Sequence, residues 1–270
     1  MSVTVVVPAS SANLGSGFDA LGLAFGRHVR FTTEVDEADA TDEHHLAIRA
    51  FRVASGTGHA RVEADFPGGR GMGFSAAARV AGLCAARLQH GDDLHTARAF
   101  ALVQGAALEG HADNVAASVR GGVVAVAGDA VVSVPLGAPV AVVLWVPDEE
   151  TSTKTSRRLL PDTISFTDAV FNVGRVAVLV AALAAGDTRA LRTGTEDRMH
   201  QDRRYARVPT SKAAHDALIE AGAWCAWLSG SGPSVAAFCD PSDAERITAN
   251  LPEHGRAIIT DIDTQGTRLS

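Results

Sequence analysis

Asp65-Phe66-Pro67-Gly68-Gly69-Arg70-Gly71-Met72-Gly73-Phe74-Ser75-Ala76-Ala77-Ala78-Arg79-Val80-Ala81-Gly82 is the stretch whose reading decides the fold. In front of its glycines, Val62, Ala64 and Phe66 alternate with Arg61, Glu63 and Asp65, the pattern of a half-buried strand. Behind them Val80, Leu83, Cys84 and Leu88 recur at three- and four-residue spacing, as on a helix with one buried face. Such a junction suits an anion. A helix start presents unpaired N–H groups and the positive end of its dipole, and glycines let the backbone approach closely. Ser75 is placed to cap the helix, and its hydroxyl to reach a phosphate or a metal. No Lys-Ser or Lys-Thr pair follows the last glycine, so the stretch is not a P-loop of Walker type. Read alone, it fits a purely structural turn as well as a phosphate loop.

Composition narrows the class. A chain of 270 residues, 46% hydrophobic and 20% charged, can bury a sizeable core as one domain or two. A net charge of -7 speaks against nucleic acid as the main partner, because binding its backbone needs a basic surface; it leaves nucleotides open. Cys84, Cys225 and Cys239 lie far apart with no CxxC spacing, so they read as small buried apolar residues in a reducing cytoplasm. The opening MSVTVVVPASSANLG lacks the basic and long apolar regions of a signal peptide. The longest apolar run, around Val176 to Ala185, is too short to span a bilayer, so a cytoplasmic protein without a membrane partner is expected.

Outward from the glycine-rich stretch, Thr4 to Val7 reads as a buried strand ended by Pro8, and Ala9 to Gly17 as a polar loop. Thr41-Asp42-Glu43 predicts a helix start, with Leu46, Ala47, Ala50, Phe51 and Ala54 as its buried stripe. Asp92-Asp93 predicts the cap of a helix that buries Ala97, Phe100, Ala101 and Leu108. That helix ends at Glu109-Gly110-His111-Ala112-Asp113-Asn114, either a binding cluster or a solvated helix end. A hairpin follows over residues 123 to 132, then a buried strand over 140 to 146. The shift to charged residues at 148 to 154 predicts a domain boundary near residue 150, giving domains 1–150 and 151–270. Residues 168 to 185 predict a mostly buried helix, and Glu196 to Arg204 a solvated helix face. Ser229 to Ser234 is a second glycine-rich turn between strands. The order of elements is α+β.

Three separated motifs agree: PASSANLGSGFD from Pro8 to Asp19, RGMGFSAA from Arg70 to Ala77, and SGSGPS from Ser229 to Ser234. With them the sequence resembles the GHMP small-molecule kinase superfamily. Glu109 to Ala116 and the Asp-Arg-x-His of Asp197 to His200 resemble its homoserine kinase branch. The resemblance implies an N-terminal domain like the second domain of ribosomal protein S5 and a ferredoxin-like C-terminal domain, with the site between them. It implies transfer of the γ-phosphoryl group of ATP to the side-chain hydroxyl of L-homoserine, as in threonine biosynthesis, with Mg²⁺ as cofactor, and it suggests a homodimer. Carried onto this chain, Pro67, Gly68, Gly69, Arg70, Gly71, Met72, Gly73, Phe74 and Ser75 would hold the triphosphate, and Ser75 with Glu109 the metal. Asn13 and Asp19 would bind homoserine, Asp19 taking its ammonium. Arg157 and Arg204 would take its carboxylate, with Thr153 one turn before Arg157. His111, Asp113 and Asn114 would approach the reacting end.

Two departures from the family pattern shape the expectations. Phe74 replaces a serine of the phosphate loop, and its ring cannot donate to a phosphate oxygen; weaker ATP binding, relieved in Phe74→Ser, is expected. His44-His45 stands where the family commonly has asparagine, which puts the adenine contacts in doubt. Asn114 stands where other members place an aspartate base. An amide cannot accept the proton, so direct attack by the hydroxyl is expected. Two other functions remain open on sequence: a kinase of another hydroxy acid, such as threonine or pantoate, and a binding protein that lost catalysis.

Overall fold

A computed structural model describes residues 2–151, 153–249 and 251–270; the side chains of Thr153 and Lys154 lie outside the described set. The first part of the chain forms β1 (Thr4–Ala12), β2 (Leu21–Thr33), α1 (Leu46–Val53), β3 (Ala60–Ala64), α2 (Phe74–Gln89), α3 (Leu94–Glu109), α4 (Asp113–Arg120), β4 (Val123–Ala127), β5 (Ala130–Val134) and β6 (Ala141–Pro147). It continues with α5 (Thr153–Arg157), α6 (Phe166–Ala185), α7 (Leu191–Gly194), α8 (Gln201–Tyr205), α9 (Pro209–Glu220), β7 (Cys225–Leu228), β8 (Val235–Cys239), α10 (Ala244–Thr248), β9 (Gly255–Thr260) and β10 (Arg268–Leu269).

Antiparallel pairing joins the strands into two sheets: β10-β1-β2-β4-β5, with β3 also on β2, and β7-β8-β6-β9. The fold is α+β, as expected. The main apolar core runs through both sheets, from Phe25, Phe31 and Phe51 to Trp227 and Phe238. The sheets do not divide at residue 150: β6 lies before it and pairs with β8 and β9, while β10 returns to β1.

Several local expectations are corrected. Pro8 does not end β1, which runs on to Ala12 through a register shift between Pro8 and Ala9; a residue without an N–H is tolerated at such a bulge. Ser10 and Ser11 are therefore buried strand residues, not part of an exposed loop. Helix α1 starts at Leu46 rather than at Thr41 to Glu43, because His45 caps it, Nδ1 accepting from the Ala47 N–H at 3.2 Å. Leu108 is 41% exposed, since the buried stripe of α3 runs through Ala97, Ala101 and Gly105.

Helix α6 differs most. It was expected to be mostly buried, yet Phe166, Val170 and Val173 are exposed and only Asn172, Leu179, Ala182 and Leu183 are buried. At 20 residues and a mean hydropathy of 1.7 it is also long and apolar enough to cross a bilayer, contrary to the expectation from the shorter run. Its polar residues tie it to the fold: Asn172 Nδ2 donates to Asp197 Oδ1 at 2.7 Å and to Ser16 O at 3.3 Å.

Candidate active site

The glycine-rich stretch does lie between a strand and a helix. Gly69, Gly71 and Gly73 all have positive φ, so the chain winds tightly before α2 begins at Phe74. Gly73 caps the helix, and a Cβ there would stand 2.1 Å from Ser10 Oγ. Close approach to β1 thus excludes any side chain. The sequence placed Ser75 as the cap; instead it sits inside the first turn and donates its hydroxyl to Glu109 Oε2 at 2.9 Å. The second glycine-rich turn packs on the first: Ser229 Oγ donates to Gly71 O at 2.5 Å, and the Ser234 N–H to Arg70 O at 3.3 Å.

These turns border a cleft whose middle is formed by Gly69, Gly71, Met72, Gly73, Phe74 and Ser75. Pro67, Gly68 and Arg70 lie outside its lining. Met72 is buried, and its carbonyl accepts from the Ser10 N–H at 3.1 Å, so only its backbone serves the turn. The Phe74 ring packs edge to face with Phe66 at 5.8 Å and with His45 at 6.0 Å, and lies against Gly68 of the loop. Its backbone N–H remains at the helix start, where no intrahelical acceptor exists.

Beside the loop stand the residues of the Glu109 to Asn114 cluster, brought together by the end of α3 and the start of α4. Asp113 is buried in the first turn of α4, where a carboxylate suits the helix dipole. Its Oδ1 accepts from the Asn114 N–H at 2.6 Å and from His111 Nδ1 at 2.8 Å. That second bond raises the pKa of His111 against the opposing effect of burial. Asn114 Oδ1 accepts from Ser10 Oγ at 2.9 Å, which leaves the Asn114 amide to act toward the cleft as a donor.

At the far end of the cleft the N-terminal turn meets three C-terminal segments. Asn13 lines the cleft but is engaged: Nδ2 donates to Gly230 O at 2.9 Å and Oδ1 accepts from the Asp19 N–H at 3.1 Å. Asn13 thus holds Asp19 in place. Asp19 in turn receives both Nη atoms of Arg157, at 2.9 and 2.7 Å. Arg204 is buried and donates from Nη1 to Gly230 O and to His200 Nδ1 at 2.9 and 3.0 Å. Burial lowers its pKa to about 10. His200 Nε2 donates to Gly15 O at 2.8 Å, so Nδ1 is free to accept from Arg204. Burial, helped by Arg204, pushes His200 down to about 4. The Glu196 to Arg204 segment is only in part a solvated face: Glu196, Arg198, Asp202 and Arg203 are exposed, but His200, Gln201 and Arg204 and the Asp197 side chain are buried. The side chain expected from Thr153 lies outside the described residues.

Sequence reasoning missed Phe18 and Arg79. Phe18 lines the cleft with the Arg157 and Arg204 guanidinium carbons each 5.5 Å from its ring, an arrangement that orients both cations. Its signal was an aromatic residue inside an otherwise small and polar loop. Arg79 pairs with Glu109 Oε1 and gave no signal of its own. The donor set also bears on a metal. Ser75 Oγ and Glu109 Oε2 offer two adjacent hard oxygens, which fits Mg²⁺, but no cluster of three acidic, His or Cys ligands exists among the described residues. Phosphate and water would have to complete the shell.

Comparison with known proteins identifies the family. The family models for the GHMP kinase N-terminal and C-terminal domains match residues 42–122 and 179–257. The chain is 39% identical to a homoserine kinase of Gloeobacter violaceus, covering 90% of this chain and 89% of that one. It is 37% identical to a homoserine kinase of Corynebacterium kroppenstedtii, covering 96% and 92%. The crystal structure of homoserine kinase from Cytophaga hutchinsonii superposes with a TM-score of 0.83 at 27% identity, covering 100% of this chain and 97% of that one. With matches of this length and identity, the chain belongs to the GHMP kinases and, among them, is most like the homoserine kinases.

Proposed function

We propose that the protein transfers the γ-phosphoryl group of ATP to the side-chain hydroxyl of L-homoserine, giving O-phospho-L-homoserine and ADP. The observation that carries the acceptor assignment is the bidentate Asp19–Arg157 pair beside buried Arg204. An α-amino acid brings one ammonium and one carboxylate, and it can replace each partner of that pair with its own charge. Arg204 Nε is buried with no hydrogen-bond partner among the described residues, as a carboxylate site would leave it. A hydroxy acid without an ammonium, such as pantoate, would leave Asp19 unpaired, which disfavours it.

The phosphates lie along the Gly69 to Ser75 turn, against the N–H groups at the start of α2. Ser75 and Glu109 would hold Mg²⁺, which when bound neutralises phosphate charge. The homoserine oxygen forms its bond to the γ-phosphorus as the bond to the β–γ bridging oxygen breaks, and ADP leaves with that electron pair. Asn114 donates its amide toward the attacking or transferred oxygen and accepts no proton. The hydrogen bond to Asp113 raises the pKa of His111, which favours a positive charge beside the cleft, where it would stabilise charge on the phosphoryl group. The hydroxyl proton passes late, to the phosphoryl oxygens. Asn114→Ala should cost about tenfold to a hundredfold in kcat, less than the loss of a true base; a loss beyond about ten-thousandfold would restore a base at this position.

The exposed apolar side of α6 supports a homodimer, and the cytoplasm as its location rests on the sequence alone. The direct test is ADP release with ATP, Mg²⁺ and a panel of L-homoserine, L-threonine and pantoate. Turnover highest with homoserine is expected, and preference for another alcohol overturns the assignment.

A further inference from the structure

Arg79 stands one turn after Ser75 on α2 and so faces the same side of that helix. Its Nη1 takes Glu109 Oε1 while Ser75 takes Oε2, so both oxygens of the proposed metal carboxylate are engaged. Glu109 needs a counter-cation there. It is the last residue of α3, at the negative end of that dipole; the last turn of α3 holds no basic residue, and the Glu109 side chain is only 8% exposed.

We propose that Arg79 makes metal binding at Glu109 conditional on nucleotide. This rests on the reading of Ser75 and Glu109 as the Mg²⁺ ligands. Without nucleotide, the guanidinium already neutralises the carboxylate, and a divalent ion arriving alone meets a fixed positive charge and only two protein oxygens. A triphosphate at the α2 N-terminus reverses the local charge. It supplies the missing oxygen ligands and an alternative partner for Arg79, which can then release Oε1. The ion therefore enters with ATP rather than before it, and the empty protein does not hold stray divalent cations at its phosphate loop.

The test is Mn²⁺ binding to the intact protein, read by electron paramagnetic resonance and calorimetry, with and without a non-hydrolysable ATP analogue. Wild type should bind Mn²⁺ tightly only with the analogue. Arg79→Met should bind Mn²⁺ without nucleotide about tenfold more tightly than wild type, because a unit charge a few ångströms from the ion is removed. Arg79→Lys, which keeps the cation, should behave as wild type. An Arg79→Met protein that folds, by circular dichroism, and binds nucleotide-free Mn²⁺ no better than wild type overturns the proposal. Glu109→Gln separates the two layers. If it keeps wild-type Mn²⁺ binding in the presence of the analogue, the underlying metal assignment fails whatever Arg79 does.

Discussion

The two ends of the cleft are built on different principles. The end proposed for phosphate is mostly backbone: three positive-φ glycines, a helix start, and a cap position where β1 comes too close for any Cβ. Its pieces lie within a few residues of one another in sequence. The end proposed for the acceptor is mostly charge, assembled from distant segments: Asp19 and Arg157 are 138 residues apart, and His200 and Gly15 are 185. The first end presents its backbone donors as they stand, while Glu109 beside it is held by Ser75 and Arg79. The second is closed on itself, its cation and anion paired, and its ligand must exchange with that pair. A backbone cradle recognises any phosphate chain, whereas a pre-paired Asp and Arg ask for a ligand that carries both charges.

The contrast can be broken at several points. Glu109→Ala should have the largest effect, about a thousandfold in kcat, with the Mg²⁺ dependence of the rate flattened. Normal activity and normal Mg²⁺ dependence would remove Glu109 from the site. At the acceptor end, acid should act through His200. Its pKa in the folded protein, about 4, lies below the ordinary 6.5. The unfolded chain therefore takes up this proton first, and stability falls as the pH drops from about 6.5 to 4. We expect roughly 2 to 3 kcal/mol from this one group. Chemical denaturation across that window should show wild type losing more than His200→Asn; equal losses would show that His200 does not stay neutral.

Arg157→Met should raise KM for homoserine about thirtyfold, the scale of one lost charge-assisted pairing, with KM for ATP unchanged. A parallel rise in both constants would erase the distinction between the ends. The smallest effect is expected from Phe74→Ser. From sequence alone a lower KM for ATP is expected, because a hydroxyl returns to the loop. The ring is instead packed on Phe66 and His45, so its loss opens a gap beside the cleft and KM for ATP should rise about threefold. A fall in KM would show that the missing hydroxyl matters more than the packing.

What was legible in the sequence follows the same division. The apolar periods placed β3, α2, α6 and the β4–β5 hairpin, and the glycines marked both turns. The ordered motifs pointed to the cleft residues. The dense polar run from Glu109 to Asn114 left a binding cluster and a solvated helix end open; the structure gathers it, with Asp113 accepting from both His111 and the Asn114 N–H. The charged run from Glu196 to Arg204 misled in part: Glu196, Arg198, Asp202 and Arg203 do face solvent, but charge suggests solvent for the rest too unless the partners that bury it are known. Asn172, Gly15 and Gly230 are such partners, and none is nearby in the chain. Helix α6 misled in the opposite sense: its apolar residues exceed what its neighbours can cover.

The sequence by itself determined where the backbone turns, which faces are apolar and which chemical groups are available, because φ preferences and side-chain periodicity are local properties. Only the tertiary structure decided that Asp19 is held by Arg157, that Glu109 is held by Arg79, that Phe74 faces an aromatic cluster, and that part of α6 stays uncovered. Those outcomes depend on distances through space between segments, and on the cost of burying a charge without a partner, which no single stretch of chain contains.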